Sequence, residues 1–197
     1  RREMEAVNVK LLKQSETDQM TGLANRYRLN AYSEKVLDYC YEHRLPLAME
    51  ILDIDFFKQY NDNYGHQQGD ECIIAIADEL KKMEDRQTFC ARYGGDEFII
   101  IYAGISAEEV HAKAGALRQN IMNLKLEHLY SNALPIVTIS QGISYGVPEE
   151  GNRSWDFLHT ADMLLYQVKK RSRNDICIAD IRGQELDLSS KQEKVEP

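Results

Sequence analysis

Two adjacent carboxylates, Asp96 and Glu97, follow a pair of glycines in the segment Arg92-Tyr93-Gly94-Gly95-Asp96-Glu97-Phe98. The flanking runs 88–91 and 99–102 resemble strands, and a glycine pair between two such runs predicts a β-hairpin. Glycine lets a phosphate approach the backbone closely, and carboxylates hold the hard divalent cation that neutralises it. The segment therefore suits a polyphosphate carried on a metal ion. The alternative is an ordinary hairpin with solvated acids, and the motif alone does not separate the two.

A third carboxylate, Asp53, stands at the end of the mostly apolar run 47–52, which fits a buried strand. Because α/β folds place ligands at strand ends, Asp53 would converge with Asp96 and Glu97 if the two strands are neighbours. Three carboxylates with phosphate oxygens in the remaining positions would make a sound Mg²⁺ site. Taken alone, Asp53-Ile54-Asp55 is better explained as a capped strand end.

The rest of the pattern predicts helices alternating with strands around that hairpin. A hairpin is antiparallel, which excludes a purely parallel sheet, so we expect an α/β (α+β) domain with a mixed sheet of about five strands and helices on its faces. The predicted elements are a helix over 1–17, a turn at 18–23, a helix from the N-cap Asn25 to about 43, the strand 47–52, a loop at 58–66, a helix from about 68, the hairpin, a helix over about 106–125, a strand over 135–140, a helix capped by Ser154, and a short strand over 176–178.

Composition limits the function classes. The chain has 197 residues, enough for one domain, and 43% of them are apolar. A formal net charge of −8 argues against a general nucleic-acid-binding protein, which needs a basic face. Four widely spaced cysteines with no C-x-x-C pair indicate buried free thiols in a reducing compartment. No apolar run reaches the roughly 20 residues that a membrane span requires.

The chain begins at Arg1 rather than at a methionine, so we interpret it as a piece of a longer protein. Met4, Val7 and Leu11 recur at helical spacing, which fits a linker helix over 1–17 arriving from an absent upstream region. A disordered leader is the alternative. Residues 18–180 form the predicted domain, and the charged segment 181–197 lacks periodicity and is expected to be a frayed tail.

Five separated motifs lie over about residues 18–180. They are Asp18-x-x-Thr21-Gly22-Leu23-x-Asn25-Arg26, Asp53-Ile54-Asp55-x-Phe57-Lys58, Asn61-Asp62-x-x-Gly65-His66-x-x-Gly69-Asp70, Arg92-Tyr93-Gly94-Gly95-Asp96-Glu97-Phe98, and Ala161-Asp162-x-x-Leu165-Tyr166-x-x-Lys169 with Arg173-Asn174. Together they resemble the GGDEF domain, the catalytic module of bacterial diguanylate cyclases. One such motif could arise by chance, whereas five in the family's order are not expected to. The resemblance implies the architecture of nucleotidyl cyclases and polymerase palm domains.

The resemblance implies an activity in bacterial signalling: the condensation of two GTP into cyclic di-GMP and two pyrophosphates, with Mg²⁺ or Mn²⁺. Carried over by position, it implies that Asp53, the backbone carbonyl of Ile54 and Asp96 bind the metal, a duty that Glu97 would share. One hairpin acid would also help to deprotonate the 3′-hydroxyl that attacks the α-phosphate, and which acid does so stays open. Such an in-line transfer is catalysed mainly by positioning and charge neutralisation.

Phosphate contacts are implied for Lys58, the backbone amides of Phe56 and Phe57, Lys169 and Arg173. Lys58 is therefore counted with Asp96 and Glu97 among the catalytic residues. For Lys169 and Arg173 the alternative is a cationic helix end favoured by the helix dipole. Their matching positions favour phosphate binding.

Asn61 and Asp70 would contact the guanine edge of the substrate. Asp70 would accept hydrogen bonds from the ring N–H and the exocyclic amine, while Asn61 can both donate and accept. Adenine lacks this pair of donors, so we expect a preference for GTP over ATP. His66 borders the same site, where a structural hydrogen bond is expected rather than a catalytic role.

The chain departs from the family's pattern at its product-inhibition site. Many members carry Arg-x-x-Asp ending six residues before the hairpin glycines, where this chain has Asp85-Arg86-Gln87-Thr88. The arginine is out of place and Thr88 supplies no carboxylate, so we predict that this feedback site is absent or badly weakened. A second departure is Ser140-Gln141-Gly142, which puts an amide where an isoleucine is usual.

The resemblance also implies the partners. We expect GTP as substrate, a second copy of the chain facing the first across a two-fold axis, and an upstream sensor domain in the full-length protein. We expect no nucleic acid and no membrane contact by this fragment, and a cytoplasmic location that leaves open a membrane anchor elsewhere in the full-length protein. The main alternative is a GTP-binding regulatory module that does not cyclise. A cyclic di-GMP receptor and a cyclase for another cyclic dinucleotide are further rivals.

Overall fold

The computed structural model describes residues 2–188, apart from the side chains of residues 12–14. Five strands form one sheet in the order β2-β3-β1-β4-β5, in which β4 and β5 are parallel and the other neighbours are antiparallel. The predicted mixed sheet of about five strands is therefore confirmed. The strands are β1 (Leu47–Ile54), β2 (Thr88–Gly94), β3 (Glu97–Ala103), β4 (Ile139–Gly146) and β5 (Ile176–Asp180).

Helices cover both faces of this sheet. Helices α4 and α5 pack their apolar stripes, which include Ile76 and Leu117, on one face. Helices α2 and α6 pack on the other through residues such as Leu37 and Phe157. The helices are α1 (Arg2–Glu16), α2 (Arg26–His43), α3 (Phe57–Tyr64), α4 (His66–Met83), α5 (Ala107–Asn123) and α6 (Ser154–Arg171).

Strand β1 lies at the centre because it can be buried on both faces. All eight of its residues are buried. Alternate side chains point to opposite faces of a strand, so Leu52 joins the α4–α5 core while Met49 and Ile51 join the α2–α6 core. The strand ends at Asp53-Ile54, which brings an acidic residue to the edge of the core.

Helix α6 approaches the sheet closely at Gly142 of β4. A Cβ atom at this position would lie 2.3 Å from both the Ala161 carbonyl oxygen and the Leu165 backbone nitrogen. Only glycine fits such an approach without displacing the helix backbone. One turn beyond Leu165, α6 carries Lys169 to the end of β1, where its ammonium group pairs with Asp53.

The loop predicted over residues 58–66 is wrong, because most of this segment is helix α3. Its Asn and Asp residues favour turns in isolation. Phe57, Tyr60 and Tyr64 recur at helical spacing, however, and all three pack against the α4–α5 core. Burial of this aromatic stripe outweighs the local preference of the polar residues.

Two further boundaries differ from the prediction. Strand β4 begins at Ile139 rather than at Pro135, because the segment before it pairs with 126–128: Val137 donates to the Leu126 carbonyl at 2.8 Å and the Pro135 carbonyl accepts from His128 at 3.0 Å. Ser154 is the first residue of α6 rather than its cap, and its hydroxyl donates to Glu34.

The frayed tail predicted from residue 181 is wrong for residues 181–188. A turn closes at Gly183, whose amide donates to the Asp180 carbonyl at 2.9 Å, and Leu186 donates to the Ile178 carbonyl of β5 at 3.1 Å. Leu186 and Leu188 pack against the core, a contact that the charged residues around them conceal in the sequence. Residues 189–197 of the expected tail lie outside the described residues.

The predicted N-terminal helix and free thiols are confirmed. Helix α1 leaves Met4, Val7 and Leu11 more than half exposed, and its role as a linker from an upstream region stays a prediction. All four cysteines are buried and free. No helix in the described part of the chain has both the length and the apolarity needed to cross a membrane.

Candidate active site

Asp53 and Glu97 face each other across the β1–β3 pair. The antiparallel register sets Asp53 directly opposite Glu97, the first residue after the hairpin turn. Asp96 stands in the turn itself, where burial raises the pKa of its carboxyl group and the backbone amides of Asp96 and of Ile54, at the end of β1, oppose that rise. Strand order thus brings Asp53 opposite Glu97 and places Asp96 in the adjoining turn.

The Asp53 carboxyl is only half satisfied. Its residue is 9% exposed, and one oxygen, Oδ2, forms an ion pair with the Lys169 ammonium group. The other oxygen, Oδ1, is buried without a hydrogen-bond partner. Burial raises the pKa of Asp53 to about 7, and the charges of Asp96 and Asp55 add to the rise, while Lys169 opposes it. An additional cation beside Asp53 would relieve this strain on the ionised form.

The two hairpin acids, Asp96 and Glu97, also have raised pKa values. Burial raises the pKa of Asp96, and the Lys169 and Arg92 charges oppose that rise. Burial likewise raises the pKa of Glu97, to which the nearby Asp162 charge contributes. Clustered acids whose carboxylates are partly desolvated and repel one another are typical of a cation-binding site.

The residues present fit a divalent cation only with help from a ligand. Among residues 2–188, no three acidic, histidine or cysteine side chains are placed to hold a metal by themselves, so the expected three-carboxylate cluster is not formed. The unpartnered Oδ1 of Asp53, close to the charge of Asp96, would be one ligand of a cation whose remaining oxygen donors come from outside the chain. A Mg²⁺ ion bound through one or two carboxylates and substrate phosphates has this pattern.

Arg92 holds the hairpin turn closed. Its Nε and Nη2 atoms donate to the Gly95 carbonyl at 3.1 and 2.9 Å, and its guanidinium pairs with Asp18 at 3.3 Å. Gly95 adopts a φ of 55°, which a side chain would disfavour. Arg26 adds a second brace by stacking on the Tyr93 ring at 4.0 Å. Asp18 and Arg26 therefore support the turn, and the Arg26 charge also opposes the rise that burial causes in the pKa of Glu97.

Phe56 connects β1 to α3 through an unusual backbone conformation. Its φ of 54° lies in the left-handed region, which costs a bulky residue free energy. Helix α3 begins directly after this turn, and the Arg173 guanidinium stacks on the Phe56 ring at 4.1 Å. Lys58 is exposed in the first turn of α3. The predicted phosphate-binding residues thus lie around one end of the sheet.

Asp55 is a buried carboxylate that binds several distant parts of the chain, and the sequence alone does not indicate this role. Its oxygens accept hydrogen bonds from the Thr138 hydroxyl at 2.7 Å, the Ser140 hydroxyl at 2.5 Å and the Asn174 backbone amide at 2.9 Å. Arg173 lies 3.8 Å away as an ionic partner. Arg173 and Asn174 both have positive φ, so Asp55 fixes the strained turn that carries the predicted phosphate arginine. The only signal in the sequence was the second acid of Asp53-Ile54-Asp55.

Asn61 and Gly69 face each other between α3 and α4. Asn61 has a buried Oδ1 atom without a hydrogen-bond partner, so part of its capacity remains available to a ligand. The predicted guanine-contacting Asp70 is exposed on the turn beside Gly69, and His66 is exposed at the start of α4. The structure therefore puts Asn61 and Asp70 on neighbouring turns, and the predicted structural hydrogen bond of His66 stays a prediction.

The positions of the family's product-inhibition motif are occupied by internal contacts. Lys113 of α5 donates to the Thr88 hydroxyl at 2.9 Å and pairs with Asp85 at 3.1 Å. Thr88 is buried and Arg86 is exposed. Asp85, the acid within these four positions, is therefore paired with a lysine of the same chain.

Comparison with known proteins finds diguanylate cyclases among the relatives of this chain. A family model described as "Diguanylate cyclase, GGDEF domain" matches residues 15–175. The chain is 34% identical over 163 residues to the probable diguanylate cyclase DgcC of Escherichia coli K12, covering 81% of this chain and 42% of that protein. It is 34% identical over 164 residues to the diguanylate cyclase DgcP of Pseudomonas aeruginosa, covering 83% of this chain and 24% of that one. The chain thus spans less than half the length of these curated relatives.

Solved structures share the fold. The coiled coil and GGDEF domain of DgcB from Caulobacter crescentus, in complex with c-di-GMP, superposes with a TM-score of 0.82 at 27% identity, covering 90% of this chain and 93% of that one. The active GGEEF domain of a diguanylate cyclase from Vibrio cholerae superposes with a TM-score of 0.68 at 30% identity, covering 79% and 97%. The predicted fold class is confirmed by these neighbours.

Proposed function

Since the chain belongs to the family of diguanylate cyclase GGDEF domains, we propose that it condenses two GTP into cyclic di-GMP and two pyrophosphates. The observation that carries the proposal is the pairing of Asp53 with Glu97 beside the glycine turn, with an unpartnered buried oxygen on Asp53. A buried carboxyl with one unpartnered oxygen destabilises the domain, so the fold alone does not account for Asp53 at this position.

Asp53, the Ile54 carbonyl and Asp96 would hold the metal, with Glu97 sharing that role. Bound Mg²⁺ or Mn²⁺ supplies neutralisation of the phosphates and eases ionisation of the attacking 3′-hydroxyl. Glu97 or Asp96 then accepts the proton of that hydroxyl. The burial that raises the pKa of both acids makes either one a better base than an exposed carboxylate.

Phosphate oxygens would be bound by Lys58, Lys169, Arg173 and the amides of Phe56 and Phe57. Lys169 already balances the charge of Asp53. When a cation takes over that task, the Lys169 ammonium group can serve the phosphates instead. Arg173, held by Asp55 and stacked on Phe56, is preorganised for the same anion.

Asn61 and Asp70 would select guanine, and His66 would border the base. The unpartnered Asn61 Oδ1 can accept from a guanine N–H, and the exposed Asp70 carboxylate can accept from the remaining donors. ATP offers only its exocyclic amine as a donor on this edge, so the acceptors of Asn61 and Asp70 could not both be paired. The preference for GTP follows from the cost of unpaired polar groups.

One site of this kind holds one GTP, so turnover requires a second copy of the chain to present the other GTP across a two-fold axis. Helix α1, with its exposed apolar positions Met4, Val7 and Leu11, would transmit control of that encounter from an upstream sensor. The predicted cytoplasmic location stays a prediction.

A GTP-binding module that does not cyclise is the second candidate. The product assay separates the two: the chain is incubated with GTP and Mg²⁺ over a range of protein concentrations, and products are identified by mass. We expect cyclic di-GMP, formed at a rate that rises more steeply than linearly where dimers are scarce. An Asp96→Ala, Glu97→Ala double variant is the control and should form none. Bound but unchanged GTP at every concentration would favour the regulatory module.

A further inference from the structure

We propose that His128, in the segment between α5 and β4, is a positioning residue that fixes the Phe56 backbone for phosphate binding, an inference that rests on the proposed function. His128 matches none of the sequence motifs and stands 72 positions along the chain from Phe56. It does not reach the acids. Within residues 2–188, its one polar side-chain contact is to the main chain of the turn that would meet the phosphates.

The contact defines which tautomer His128 adopts. Its Nε2 atom lies 3.0 Å from the Phe56 carbonyl oxygen. A carbonyl oxygen only accepts, so Nε2 carries the hydrogen and donates, and in the neutral ring Nδ1 is then bare. Nδ1 is buried without a hydrogen-bond partner, so this tautomer leaves an acceptor rather than an N–H donor unpaired. His128 has 0% exposure, so water cannot replace its contact without rearranging the segment.

Aromatic packing keeps the imidazole at this position. The Tyr60 ring meets it edge-on at 5.1 Å and the Tyr64 ring at 6.3 Å. The Tyr64 hydroxyl accepts from the Leu129 amide at 3.0 Å, which ties α3 to the residue after His128. The backbone amide of His128 donates to the Pro135 carbonyl at 3.0 Å. Ring and backbone are therefore both fixed before any ligand binds.

The carbonyl that His128 binds belongs to Phe56, whose backbone conformation is strained. Phe56 holds a φ of 54°, and its carbonyl oxygen also accepts from the Tyr60 amide at 3.0 Å. Two donors on one oxygen fix the orientation of the peptide unit between Phe56 and Phe57, and with it the direction of the Phe57 amide. Arg173 stacks on the Phe56 ring at 4.1 Å, so the same turn also locates the guanidinium.

Loss of the imidazole would let this peptide unit rotate toward a relaxed conformation. The Phe57 amide and Arg173 would then meet the phosphates in fewer of the populated conformations, which lowers affinity in proportion. A purely structural role predicts something different. It predicts lower stability without a specific loss of GTP binding in the molecules that remain folded.

The test compares three variants by calorimetric binding of GTP with Mg²⁺ at a temperature where all are folded. His128→Leu removes the donor, and we expect about tenfold weaker binding, the effect of one lost hydrogen bond. His128→Gln keeps an N–H that can reach the Phe56 carbonyl and should restore binding to within about twofold of wild type. Val137→Ala, at a buried position of the same segment, is the matched control and should lower stability while leaving GTP affinity unchanged.

A ¹⁵N spectrum of the imidazole supplies a readout independent of turnover. We expect the Nε2–H tautomer in the free protein, and the Nδ1–H tautomer would overturn the proposal. Unchanged GTP affinity in His128→Leu, or an equal loss in Val137→Ala, would overturn it as well. If wild type binds GTP but forms no cyclic di-GMP, the proposed cyclase fails while the binding comparison still decides the role of His128. Absence of GTP binding by wild type would overturn both.

Discussion

A Cβ atom built on Gly69 would lie 1.8 Å from the side-chain oxygen of Asn61. No van der Waals contact allows that distance, so the absence of a side chain at Gly69 is what permits Asn61 to occupy its position between α3 and α4. Gly69 sits inside a helix, where glycine is unfavourable by about 1 kcal/mol relative to alanine. The helix accepts this cost at the point where we propose that guanine is recognised.

Gly69→Ala should therefore weaken GTP binding strongly, by about tenfold or more, because the methyl group displaces Asn61. Calorimetric titration with GTP and Mg²⁺ measures this. Gly115→Ala is the matched control, since Gly115 is also helical and has nothing within 4 Å of an added Cβ. It should raise the free energy of unfolding by up to about 1 kcal/mol and leave GTP binding alone. Equal GTP affinity in the two variants would contradict the proposed role of Asn61.

Asp55→Asn should both destabilise the domain and weaken GTP binding. Asparagine has one acceptor oxygen where aspartate has two, so at least one of the hydrogen bonds from Thr138, Ser140 and Asn174 is lost or must reverse its direction, and Arg173 loses its anion. We expect a fall of about 2–3 kcal/mol in the free energy of unfolding. Asp175→Asn, at an exposed acid nearby, should change it by less than about 0.5 kcal/mol. Comparable losses of stability for Asp55→Asn and Asp175→Asn in urea titrations would contradict this structural role of Asp55.

A buried acid away from the site gives a pH-dependent prediction. Glu50 of β1 has 0% exposure, accepts from the Tyr102 hydroxyl at 2.7 Å and has an unpartnered Oε1. Burial raises the pKa of Glu50 from 4.5 to about 8. The folded state therefore binds more protons than the unfolded state between these values, and its stability falls as pH rises through that range.

Glu50→Gln removes this dependence, because glutamine is neutral at every pH. The free energy of unfolding of the variant relative to wild type should rise by at most roughly 1.4 kcal/mol per pH unit between 4.5 and 8, and then level off. Asp53 contributes the same sign in both proteins and cancels in the difference. Urea unfolding at about pH 5, about pH 7 and about pH 9 measures it. A difference that does not change with pH would show that Glu50 does not titrate in this range.

Product feedback should be absent. The inhibition site would need a free carboxylate at position 88 and an arginine at position 85. This chain has Thr88 and Asp85 there, and both bind the Lys113 ammonium group. Cyclic di-GMP added at the start of the reaction should slow GTP turnover only by competing at the substrate site, so saturating GTP should restore the full rate. Arg86→Ala should give the same profile. Inhibition that persists at saturating GTP would contradict the prediction.

The acids of the site could be predicted because their signals are local. A glycine pair between two strand-like runs defines a hairpin, and a buried strand that ends in an acid places that acid at the sheet edge. Strand order then brings Asp53 opposite Glu97. Only this last step joins residues far apart in the chain, and from the sequence it could be stated only as a condition.

Asp55 and His128 could not be predicted, because their roles depend on partners far along the chain. Asp55 receives its hydrogen bonds from residues 83 to 119 positions away, and His128 reaches Phe56 across 72 positions. Helix α3 was missed for a related reason. Its polar residues favour a turn locally, and only the core beneath Tyr60 reveals the helix.

The central claim is that this chain joins two GTP molecules, and the most direct test is a mass balance of the reaction with GTP and Mg²⁺. The chain is assayed alone and with dimerisation forced through α1, against the Asp96→Ala, Glu97→Ala variant under the same conditions. We predict one cyclic di-GMP and two pyrophosphates for every two GTP consumed by wild type, and none by the variant. GTP that is bound but recovered intact, even from the forced dimer, would contradict the claim and leave a GTP-binding module.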